Sequence, residues 1–241
     1  MYDLTSFSLR DMTECGAALR KLGSGASSME EVANRIVRYL YEQFVDKQSG
    51  EKSCALVRCF KTLPFEQLDS KLREFARRLL GPVAEQPDMR CLTLLATAGT
   101  RPEWNARQQS VGHQAIPLAS PEMVSRTPMI SQLVQQFGLE INTVLQPAPE
   151  LMVDLQQKTF NVFHVEQAVG SPFVPAQQEF VVPFGVQSVL GFGGMLPSGN
   201  LFAVILFSKV HIPRQTADLF KTLSLSVKAA VLPLVESAVF T

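Results

Sequence analysis

The 241-residue chain has no excess charge of either sign and no long apolar run. Lys plus Arg and Asp plus Glu stand at 22 each, dispersed along the sequence. That balance excludes the electrostatic footprint of a nucleic-acid or anionic-membrane binder. The longest apolar stretch, Leu201 to Phe207, is strand-sized, whereas a membrane span needs about 18 to 20 such residues. The opening Met1-Tyr2-Asp3-Leu4 lacks a basic region followed by an apolar core, so no signal peptide is expected.

Reactive groups are also scarce. There are three histidines and four widely spaced cysteines, Cys15, Cys54, Cys59 and Cys91. No Cys-x-x-Cys or His-x-x-x-His occurs, and the common zinc sites need such pairs. Cys54 and Cys59 are five apart on an expected strand, which puts their side chains on opposite faces unless a bulge intervenes. All four read as reduced, buried thiols of a cytoplasmic protein. No Gly-x-Ser-x-Gly is present, and Gly191-Phe192-Gly193-Gly194 lacks the Lys-Ser/Thr that would complete a phosphate loop. The expectation is no metal site, no catalytic residue and no enzyme activity; any cofactor is unknown.

What the chain does have is core material: 46% apolar and only 18% charged residues, enough for a single domain over 1–241. Ser8 is a helix cap ahead of the stripe Leu9, Met12, Leu19 and Leu22, which stops at Gly23-Ser24-Gly25. Ser28 and Glu31 have the spacing of a capping box before Val32, Ile36, Leu40 and Phe44. A strand is expected over Cys54–Phe60 and another over Cys91–Thr97, with a helix carrying Leu68, Leu72, Phe75 and Leu79 between them. Residues 101–119 read as an irregular polar loop, followed by a helix from Pro121 to Phe137. Phe160–Val165 reads as a strand, with His164 a satisfied strand residue. A hairpin then turns at Pro197-Ser198-Gly199-Asn200. The final helix starts after Pro213 on Phe220, Leu223, Val227, Ala230, Val231 and Leu234, and runs to the end with one interruption at Pro233.

This order gives an α+β class: an antiparallel sheet with N- and C-terminal helices on one face. The boundaries are 1–46 for the first helices, 53–208 for sheet and loops, and 213–240 for the last helix.

The stretch Ser188-Val189-Leu190-Gly191-Phe192-Gly193-Gly194, then Gly199–Ser208, then a long amphipathic helix, resembles the closing hairpin and final helix of a GAF domain. The helix ending at Phe44 and the strand at Cys54 match that family's opening in order. The resemblance implies a sensory input region of a bacterial multidomain signalling protein. It implies a small-molecule pocket between the sheet and its long loops. It also implies a homodimer through the terminal helices and a downstream output domain, as in two-component systems. Against the family pattern, the helix between the first two strands is long and residues 101–178 carry an insertion.

Two loops are the candidates for the pocket. One holds Trp104, Asn105, Arg107 and His113; the other, Gly170 to Gln177, carries Phe173 and leads to Phe180. Stiff or aromatic loops of this kind hold binding surfaces at low entropy cost. Ordinary structural cover is the stronger reading of the first loop and reads at least as well for the second. A ligand-free interaction or dimerisation domain of the same fold is therefore the alternative. A large cavity of mixed polar and apolar lining beneath residues 101–118 and 166–178 would favour the sensor, and a filled interior the alternative.

Overall fold

The computed structural model describes residues 1–147, 160–235 and 239–240. Seven α-helices are assigned among them: α1 (Leu9–Lys21), α2 (Met29–Gln43), α3 (Ser70–Leu80), α4 (Pro121–Ser125), α5 (Pro128–Gln136), α6 (Ile141–Leu145) and α7 (Arg214–Val231). The strands are β1 (Cys54–Pro64), β2 (Arg90–Gly99), β3 (Ala115–Leu118), β4 (Phe163–Val165), β5 (Ser188–Met195) and β6 (Leu201–Ser208). They form one sheet in the order β3-β2-β1-β6-β5-β4, antiparallel at every pairing.

Local chemistry sets the helix starts. Ser8 and Asp11 form a reciprocal capping box at α1, which satisfies two of the amides a helix start leaves unpaired. At α2 only half of the expected box exists. Ser28 Oγ accepts from Glu31 N at 3.1 Å, while the Glu31 carboxylate accepts from Ser27 N and pairs with Arg35. Asp69 caps α3. The helix expected over 121–137 is divided, because Pro128 starts a fresh helix at its first position and ends the preceding one.

The terminal helices α1, α2 and α7 share one face of the sheet, as expected. Their core joins Val32, Ile36, Leu40, Leu223 and Val227 to Val57, Leu190 and Val204. At its centre Phe220 lies 5.3 Å from Phe7, 5.9 Å from Phe44 and 5.2 Å from Phe192. Each such ring withdrawn from water contributes about 1.5–3 kcal/mol. The helical stripes are less complete than expected: Leu9 and Leu79 are exposed, and Leu68, though buried, precedes its helix. The opposite face, expected to carry loops, also receives α4, α5 and α6, in a separate apolar cluster.

Several strand details differ from expectation. A register shift between Cys54 and Leu56 in the β1–β6 ladder turns Cys54 to the face of Cys59, so both lie in the helix-side core. All four thiols are buried, and burial pushes each up to about 12. The expected irregular loop contains β3, an edge strand whose Pro117 is tolerated because an edge leaves amides unpaired. Phe160–Val165 contributes only three strand residues, and His164 Nε2 meets Ile212 O at 3.0 Å. Gly191, Gly193 and Gly194 are interior residues of β5.

The last helix is shorter than expected. It ends at Val231 and tightens into a 3₁₀ turn over Leu232–Leu234 at Pro233. Part of the expected continuation, 236–238, lies outside the described residues. Val239 O accepts from Glu30 N at 2.8 Å, so the chain returns to the start of α2. No helix among the described residues is long and apolar enough to cross a membrane.

Candidate functional site

The sheet face away from the terminal helices holds a cavity of about 220 Å³. Its floor is the outward row of the central strands: Leu56, Arg58 and Phe60 of β1, and Ala203, Ile205 and Phe207 of β6. Period-two alternation puts these side chains on one face while Val57 and Val204 fill the other. A wall comes from Met129, Ile130, Leu133 and Val134 of α5. Trp104, His113 and Phe180 descend from the two long loops to complete the enclosure.

The aromatic cover is packed. Trp104 lies 4.6 Å from Phe184 and 5.5 Å from Phe180, and Phe180 reaches Phe207 on the floor at 5.1 Å. Gly99 at the end of β2 lets the indole approach, since a methyl group there would lie 3.0 Å from Trp104 Cε3 and from Ala55 O. The Arg101 guanidinium sits 5.9 Å from the indole centre, an attractive cation–π distance.

Of the six candidate residues, Trp104, His113 and Phe180 line the cavity, and Asn105, Arg107 and Phe173 do not. Asn105 holds the loop in shape: its Oδ1 accepts from Gly99 N at 3.1 Å and its Nδ2 donates to Gly99 O and Arg101 O. Arg107 makes a two-point ion pair with Glu30 of α2, at 2.7 and 3.1 Å, with both side chains nearly buried. Phe240 packs under its guanidinium at 4.3 Å. Phe173 packs at the margin of the sheet-side cluster.

Among the described residues, two ionisable groups line the cavity. His113 is exposed on its outer side and has φ of +63°, a costly conformation for a residue other than glycine. Desolvation and then the Arg58 charge hold its imidazole below the usual range. The Arg58 guanidinium is pushed down to about 10 by burial, with no carboxylate offsetting it. Its signal in the sequence was a charge inside the apolar run Cys54–Phe60. The described lining otherwise offers Thr127 as a polar side chain among apolar ones.

The chain is similar to free methionine-R-sulfoxide reductase of Neisseria meningitidis in complex with its substrate, at 11% identity and a TM-score of 0.46 over 94% of this chain and 95% of that one. It is also similar to the GAF domain of a phosphoenolpyruvate-protein phosphotransferase from Coxiella burnetii (11%, 0.45, 92% and 93%). A third similar structure is the phycoerythrobilin-bound GAF domain of a cyanobacterial phytochrome (9%, 0.39, 95% and 99%). No family model matches the chain, and no curated protein does.

Proposed function

We propose that this chain is a non-catalytic, GAF-like sensory input domain that holds a small apolar molecule against its sheet and reports its presence to an output module. The cavity of about 220 Å³ beneath the two long loops carries the reading. A ligand-free interaction domain has no use for such a space, since interiors otherwise close to crystal-like density. An engineered cavity of about 150 Å³ already takes benzene, so the body of the ligand is a ring or short chain. The reduced thiols fit a cytoplasmic setting.

The relay runs through the loop that carries Trp104 and His113. Arg107 ties that loop to Glu30, and Arg38 Nη2 donates to Asn105 O at 3.1 Å, so α2 is joined to the cavity cover twice. A ligand that shifts the cover moves α2, and with it the packed set of terminal helices, by the small translations that such switches use.

Trp104 is the sole tryptophan, so its emission reports occupancy directly. Titration with 1-octanol, a neutral probe, is expected to shift that emission saturably and to alter amide exchange along α2. In the Glu30→Gln/Arg107→Gln double variant, which removes both charges together, the emission shift remains and the α2 response is lost. Absence of any saturable shift with 1-octanol or cinnamyl alcohol would rule out the cavity as the ligand site.

A further inference from the structure

Among the described residues, Arg58 is the one cation set into the floor of this apolar cavity. It stands at the centre of β1, opposite Thr97 of β2 and Ile205 of β6. Its Nε is buried without a hydrogen-bond partner, and its Nη2 has only a long bond, 3.3 Å, to Ser110 Oγ. These two nitrogens form one edge of the guanidinium, the edge that accepts a carboxylate with two parallel hydrogen bonds. Ser110 Oγ itself donates to Gly112 O at 2.7 Å, so it gives Arg58 a neutral contact and no charge. Thr97, paired with Arg58 across the ladder, carries a second buried oxygen without a partner.

A guanidinium left unpaired among leucine, isoleucine and phenylalanine side chains is costly, and natural structures keep such groups only when something satisfies them. No ion pair or acidic neighbour does so among the described residues. The apolar lining meanwhile calls for an apolar body beside the charge. Resting on the ligand-binding reading above, we infer that the ligand is an apolar organic monoanion, its body seated on the sheet and its carboxylate held side-on by Arg58. A single guanidinium with one histidine at the rim matches one negative charge; a phosphate dianion needs more than one cation around it.

The test compares acids and alcohols of the same body, octanoate with 1-octanol and cinnamate with cinnamyl alcohol, by Trp104 emission and calorimetry on the full chain. The acids are expected to bind at least about tenfold tighter. Arg58→Met is expected to lower that preference, read as the ratio of acid to alcohol affinity within the variant, below about twofold, and Arg58→Lys to retain part of it. Circular dichroism melts confirm that both variants fold, and removing a half-buried charge that has no ion-pair partner among the described residues favours folding. Equal binding of acids and alcohols to the parent chain overturns the anion assignment and leaves the cavity reading standing. A preference that survives in Arg58→Met overturns the role of Arg58. If neither class binds, both readings fall.

Discussion

Arg58 has a counterpart on the other side of the same strand. Lys61 lies three residues on, facing the helices, and only 1% of it is exposed. It pairs across the ladders with Thr93 and Phe202. Its ammonium is pushed down to about 8, first by burial and then by the nearby Arg90 charge. Unlike Arg58 it lines neither of the described cavities. The unfolded chain holds this proton up to the ordinary value of 10.5, whereas the folded chain releases it near pH 8. Between those values the unfolded state binds more protons, so stability rises with pH over that window and is lowest below it. Lys61→Met keeps the length of the side chain and is expected to stabilise the protein by about 1–3 kcal/mol at pH 7. In urea melts the gap between variant and parent should narrow as pH rises from 8 to 10. An unchanged midpoint at pH 7 would show that the ammonium reaches water.

At the scale of elements, the contact between α1 and α7 depends on small residues. Arg20 Nη1 donates to Ser226 Oγ at 2.9 Å across it. Gly23, just past α1, comes so close that a methyl group would lie 2.1 Å from Ala230 O, a backbone atom that cannot swing aside. Gly23→Ala should therefore prise the helices apart and cost about 1–3 kcal/mol. A thermal melt indistinguishable from the parent's would show that the two helices are not tightly seated. Elements written by local chemistry were legible in the sequence: the caps at Ser8 and Ser28, the hairpin after Met195 and the buried stripe of α7. Elements decided by distant partners were not. Pro117 hides β3 because an edge strand tolerates what a central strand does not. The Arg107–Glu30 pair joins residues 77 apart with no periodic signal to announce it. At the cavity, aromatic composition pointed to Trp104 and Phe180, but Arg107 and Asn105 are equally polar and face elsewhere. Only the strand register singles out Arg58.

For the whole molecule, the open question is what meets the outer side of α7, since the inner side is filled. Leu225 of α7 and Leu232, the residue that caps it, are 44% and 46% exposed and stand seven residues apart. Thr222 and Ala229 share that exposed side. The spacing repeats every three or four residues, as a two-helix seam requires, and apolar groups aligned on an exterior face mark association surfaces. A homodimer through the terminal helices would cover this stripe with a second copy, pairing α7 with its own equivalent around a two-fold axis. Self-pairing in that manner uses the same patch on both partners, so one change weakens the interface twice. Sedimentation at high micromolar concentration is expected to give a dimer, and Leu225→Glu with Leu232→Glu a folded monomer that still shifts its Trp104 emission with 1-octanol. A parent chain that sediments as a monomer under those conditions would remove the pairing. The signal would then have to leave through α2 and the returning chain at Val239 and Phe240, where Glu30 and Arg107 already join the cavity cover to both.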